Sequence, residues 1–146
     1  MLEGPYTDTE VAFKIIDLDK FEDYNIDELK KEINITSQYQ HPNLISSYIS
    51  FIDRSELYIV MPLIDAGSCL DVLNVNFPNG IDDESAIATI MNDVLQGLAY
   101  LHHNGELHRD IKAGNMFAES TGTIHLGDFG VSASLKKGEK RNTFVG

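Results

Sequence analysis

An α+β fold in one domain is predicted by three features of the 146-residue sequence. A β-branched segment is followed by an amphipathic helical pattern and a pair of strand patterns, a long apolar stripe of helical period fills the middle, and two short strand patterns follow among turns. No internal repeat, low-complexity tract or Pro/Gly/Ser-rich linker divides the chain.

Taken in order, residues 11–16 (VAFKII) predict a strand with Val11, Phe13 and Ile15 on one face and Ala12, Lys14 and Ile16 on the other. Residues 25–39 predict a helix: Ile26, Leu29 and Ile33 fall at helical spacing, Asp27 stands four before Lys31, and His41-Pro42 closes it. Residues 45–51 and 56–61 predict a strand pair around the turn Asp53-Arg54-Ser55. The strongest helix spans residues 83–103, where Ile87, Ile90, Met91, Val94, Leu95, Leu98 and Leu101 form one stripe. Asp82, Asp83 and Glu84 suit its positive N-terminal end, and Asn104-Gly105 its C-cap. Residues 115–118 and 123–126 predict short strands around the turn at residues 119–122.

Composition narrows the function. With 42% hydrophobic and 23% charged residues, disorder and fibrous classes are excluded. The longest apolar run, residues 57–64 and broken by Pro62, is too short for a membrane helix. The acidic start carries no secretion signal, and a lone Cys69, read as a packing residue, fits a reducing compartment, so a cytoplasmic location is expected. A net charge of −12 argues against nucleic acid or an anionic membrane as partner. Residues 131–146 carry +3, leaving −15 for the rest, so the C-terminal segment is a distinct basic stretch. His102, His103 and His108 lack a metal-ligand spacing, and Asn34-Ile35-Thr36 falls inside the helical pattern, where glycosylation is not expected.

Four elements carry chemistry: Lys14 on a strand, Glu32 on the following helix, the loop 108–115 (HRDIKAGN), and Asp128-Phe129-Gly130 thirteen residues later. Phosphoryl transfer needs a carboxylate to orient the attacking hydroxyl and hard oxygen donors to hold Mg²⁺ against phosphates; Asp110, Asn115 and Asp128 supply such oxygens. Either tripeptide alone means little, but their order and spacing behind a VAxK strand make coincidence a poor explanation.

On these residues the sequence resembles the eukaryotic protein kinases from Val11 to Gly146. Lys112, two after Asp110, is the serine/threonine form of the loop, and KEI with HPN, SFI with VMPL, GLAYLH, HRDIKAGN, DFGVSA and TFVG resemble the Sterile-20-like group, nearest its Frayed-like and oxidative-stress-responsive branch. The resemblance implies ATP and Mg²⁺ as cofactors, a protein Ser/Thr hydroxyl as acceptor, and an upstream kinase or scaffold as a further partner. It gives Lys14 the α/β-phosphate contact with Glu32 as its ion-pair partner, Asp110 the catalytic carboxylate, Lys112 the transferred phosphate, and Asn115 with Asp128 the metal. Met61 becomes the gatekeeper, residues 62–67 with Leu63 the adenine-binding hinge, Ala12 and Phe117 the adenine bracket, and Asp71 a group near the ribose. Thr143 takes the activation-loop phosphosite, where a phosphate could pair with Arg109.

The expected fold is therefore α+β, protein-kinase-like and partial: residues 1–61 part of the N-lobe, 62–67 the hinge, and 68–146 the first part of the C-lobe. The resemblance covers about the middle half of a kinase domain, without a Gly-rich loop in MLEGPYTDTE and without A-P-E. Thr36 and Ser47 stand where the family places bulky apolar groups above His108 and Phe129. Two alternatives stay open, a truncated and inactive protein-binding module and an incomplete stretch of a longer product. Exposure of Leu95 or Leu98 would favour binding to another protein or aggregation.

Overall fold

A computed structural model describes residues 10–20, 33 and 37–128. Strand β1 (Val11–Asp17) pairs antiparallel with β3 (Glu56–Pro62), which pairs antiparallel with β2 (Ile49–Asp53), so β3 is the central strand. Alternation fixes the register: Ala12, Lys14 and Ile16 lie opposite Met61, Ile59 and Leu57. On that inner side Leu18, Ile33, Leu57 and Ile59 are buried, with Ile16, Ile52 and Met61 packed against them. The opposite side leaves Phe13 and Ile15 more than half exposed, at 57% and 54%. Phe51 and Tyr58 stack there with ring centroids 5.1 Å apart.

The predicted hairpin holds, with Asp53 paired to Glu56 and Arg54 at φ 54° in the turn. The first strand of that pair begins later than expected. Residues 45–47 are irregular because the Ile45 amide donates to the Leu126 carbonyl at 2.8 Å and Leu44 forms a bridge with Leu126, which draws this segment into the lower half. Ser47 accordingly lies before β2 and not on it. Most of the predicted helix 25–39 lies outside the described residues; Ile33 is helical, the Ser37 amide closes onto its carbonyl at 3.0 Å, and residues 37–38 form a turn that ends the helix short of Tyr39.

Helix α1 (Cys69–Asn76) was not expected from periodicity. Its signal is local: Ser68 and Asp71 form a capping box, in which each side chain serves the other residue's backbone amide. Helix α2 (Glu84–His103) matches expectation, capped by Asp83 through the Ser85 amide. Its end is a Schellman motif: the Glu106 amide donates to Leu101 at 2.9 Å and the Gly105 amide to His102 at 3.0 Å, with Gly105 at φ 78°. Strands β4 (Met116–Ala118) and β5 (Ile124–Leu126) form the second, two-stranded sheet.

The stripe on α2 divides. Val94, Leu101 and the small Gly97 turn into a core with Leu44, Cys69, Ile124 and Leu126, and Leu98 packs against that core. Ile87, Met91 and Leu95 remain exposed. Among the described residues no helix is long and apolar enough to cross a membrane.

Candidate active site

The site is assembled where β1, the loop before β4 and the segment after β5 converge. Lys14 belongs to the inward-facing series of β1, and its Nζ meets Asp128 Oδ1 at 2.5 Å, across 114 residues of sequence. Both side chains are partly buried, so the pair is shielded from water without being sealed from it. Asp128 itself has φ 61°, a left-handed conformation costly for a residue with a Cβ.

Gly127 holds Asp128 from behind. Its amide donates to the Asn115 carbonyl at 2.9 Å, and its carbonyl meets His108 Nε2 at 2.9 Å. The Asp110 amide donates to His108 Nδ1 over a longer 3.4 Å, so Nε2 carries the ring proton and donates to Gly127. Burial pushes His108 below its ordinary 6.5, against opposing contributions from the Gly127 carbonyl and the charges of Asp110 and Asp128. The imidazole is thus a neutral brace between two site segments. A Cβ on Gly127 would stand 2.8 Å from Phe117 Cε2, so only glycine admits this approach of the β4 ring.

Asp110 is the second centre. Its Oδ2 accepts from Lys112 Nζ at 2.8 Å and from Asn115 Nδ2 at 3.1 Å, while Asn115 Nδ2 also reaches the Asp110 carbonyl at 2.7 Å. Arg109, with φ 67°, makes the sharp backbone reversal just before it. Asn115 is 4% exposed and ends a 3-10 turn (Ala113–Asn115) whose N-cap is Lys112. Since the Asn115 amide nitrogen is engaged by Asp110, its oxygen is the atom suited to a cation. Together with the Asp128 carboxylate this donor set fits Mg²⁺, which takes a few protein oxygens and leaves other positions to water and phosphate. Lys14 adds an ammonium group beside this donor set.

Five of the expected residues, Lys14, Asp110, Lys112, Asn115 and Asp128, therefore fall on one connected set of contacts. Ala12 pairs with Met61 across β1 and β3, and Met61 packs on the core that contains Ile33. Leu63 is half exposed on the connection after β3, and Phe117 lies on β4, bridged to Ser68. Asp71 is occupied in the cap, its Oδ2 accepting from Ser68 Oγ at 2.5 Å. Glu32, Thr36, Phe129 and Thr143 lie outside the described residues. His108 and Gly127 as a brace, and Asp65 in the connection, escaped the sequence reading; Gly127 directly before Asp128 was the available signal for the first. A separate cavity of about 580 Å³, lined by Ser37, Gln40, His41, Ser46, Ser47 and Tyr48 among others, meets the expected site only at Pro62, the first residue of the hinge.

The chain is similar to known proteins over most of its length. A protein kinase domain model matches residues 5–146. The chain is 45% identical over 138 residues to "Serine/threonine-protein kinase fray2" of Dictyostelium discoideum, covering 93% of this chain and 13% of that protein. It is 44% identical over 151 residues to "Germinal center kinase 3" of Caenorhabditis elegans, with 93% and 25% covered. It is 42% identical over 137 residues to "Serine/threonine-protein kinase ppk11" of Schizosaccharomyces pombe, with 93% and 43% covered. The chain thus spans a quarter or less of the first two relatives. On the match across nearly its whole length, together with the loop and carboxylate arrangement above, the chain belongs to the protein kinase domain family, among the serine/threonine kinases of the Sterile-20-like type.

Proposed function

We propose that this chain provides the nucleotide cleft and catalytic loop of a protein serine/threonine kinase that binds ATP with Mg²⁺ and transfers the γ-phosphoryl group to a protein hydroxyl in cytoplasmic signalling. The observation that carries the reading is the joining of Lys14 to Asp128, and of Asp128 through Gly127 to Asn115 and Asp110. In this reading residues 1–61 belong to the N-lobe, 62–67 to the hinge and 68–146 to the C-lobe, in keeping with a sheet whose last pairing is Val11 with Pro62.

Lys14 holds the α/β-phosphates, with Glu32 as its partner when nucleotide draws the ammonium away from Asp128. Asn115 and Asp128 hold the metal, which when bound neutralises charge on the phosphate oxygens. Asp110 orients the acceptor hydroxyl and takes its proton, and Lys112, already 2.8 Å from Asp110, faces the transferred phosphate. Ala12 and Phe117 bracket the adenine, Met61, Leu63 and the hinge border it, and Asp71 lies towards the ribose. Thr143 is the phosphosite for an upstream kinase, with Arg109 as the cation for its phosphate.

A second reading, a protein-binding module without turnover, is favoured by Ile87, Met91 and Leu95 exposed together on α2. Phosphotransfer from radiolabelled ATP to a generic basic protein separates the two. The kinase reading expects transfer in the parent chain and a loss of about 10²–10⁴-fold in Asp110→Asn. Equal incorporation by parent and variant, or none by either, contradicts it.

A further inference from the structure

The connection between the sheet and α1 is held in part by a side-chain tie from Asp65. After Pro62 it has no strand partner until Ser68 bridges Phe117. Two backbone bonds bring it to β4: the Ala66 amide donates to the Ala118 carbonyl at 3.1 Å and the Ala118 amide to the Gly67 carbonyl at 2.9 Å. Asp65 adds a third tie further out, its Oδ1 accepting from the Ser120 amide at 2.8 Å, across 55 residues. Ser120 belongs to the β4–β5 turn, which closes on itself through Glu119 and Thr123 and through Gly122 and Glu119. Asp65 thus fastens the hinge to the tip of the hairpin that carries Phe117.

The hairpin is not a passive support. The Phe117 ring rests against Gly127, and Gly127 precedes Asp128 and is bonded to Asn115 and His108. A hinge that moved away from the hairpin would change its spacing from Phe117, while Phe117 stayed in register with the metal-facing residues. We infer that Asp65 is a positioning residue that clamps the hinge to the β4–β5 hairpin and so fixes the spacing between the hinge border of the adenine seat and its Phe117 side. This use of the clamp rests on the nucleotide reading above. The Ser120 hydroxyl and amide hold the Asp65 carboxyl below its ordinary value, so the acceptor stays charged at neutral pH.

Both ends of the tie are exposed, so it adds little to global stability; its effect is local. The test uses Asp65→Ala and Asp65→Asn in the full chain. Without nucleotide, hydrogen exchange at Ser120 and Ala66 should accelerate about fivefold in Asp65→Ala and much less in Asp65→Asn, which keeps an acceptor oxygen, while the melting temperature stays within about 1 °C. By calorimetry, Asp65→Ala should weaken adenosine and Mg·ATP by the same factor of about five, because the clamp acts on the base and not on the phosphates. Unchanged exchange at both amides overturns the clamp, and a loss confined to Mg·ATP overturns its action on the adenine seat. A parent chain that binds neither ligand overturns the nucleotide reading and the purpose given to Asp65, whereas the exchange rates still decide whether the clamp exists.

Discussion

Asp128 and Arg109 occupy left-handed backbone conformations, at φ 61° and 67°, that an unsupported aspartate or arginine rarely holds. At Asp128 the support is visible in Lys14 on one side and the bonded Gly127 on the other. Lys14→Met removes the cation paired with Asp128, and on the proposed nucleotide reading Mg·ATP affinity measured by calorimetry should fall by about tenfold or more. His108 supplies a pH signature. Burial lowers its folded pKa, so below pH 6.5 the unfolded chain takes up a proton that the folded chain refuses. Stability against urea should therefore fall as pH drops from about 6.5 towards the lowered folded value, and His108→Gln should flatten that slope. These residues were legible in the sequence as identities and spacings, since HRDIKAGN and DFG fix which groups are present. The direct Lys14–Asp128 pairing was not, because the two stand 114 positions apart and only the tertiary fold brings them together.

Secondary elements follow sequence most closely where local chemistry marks both ends. Helix α2 shows this, with Asp83 at its start and Asn104-Gly105 at its finish. Helix α1 is shorter, and its Ser68–Asp71 box outweighs a weak apolar pattern; Ser68→Ala should cost about 1 kcal/mol in thermal unfolding. The late start of β2 has a tertiary cause, because Ile45 gives its amide to Leu126 and not to a neighbouring strand. Close packing of α2 is equally hidden from periodicity. A Cβ on Gly97 would stand 2.8 Å from the Asn43 carbonyl oxygen, a backbone atom with little room to retreat. Gly97→Ala should therefore destabilise the chain by about 1–3 kcal/mol in denaturant unfolding, although alanine favours a helix.

For the whole molecule, two cores meet at a site whose Lys14–Asp128 pair reaches from one side to the other. The upper core gathers on β1 and β3 and includes Ile33; the lower gathers on α2 and β5. Lys14 projects from the first and Asp128 follows the second, so nucleotide bound between them should bring both under one cooperative transition. The α+β class and, among the described residues, the order of first strand, hairpin and long helix were readable from periodicity, while the exposure of Ile87, Met91 and Leu95 on the α2 stripe was not, since a stripe shows that burial is favoured without naming what covers it. The most direct measurement is the melting temperature of the chain with and without saturating Mg·ATP, in the parent and in Asp128→Asn. A rise of several degrees in the parent, largely lost in the variant, is the predicted result. No shift in the parent, or the same shift in both, would contradict the claim that Lys14, Asn115 and Asp128 together hold a metal-bound triphosphate.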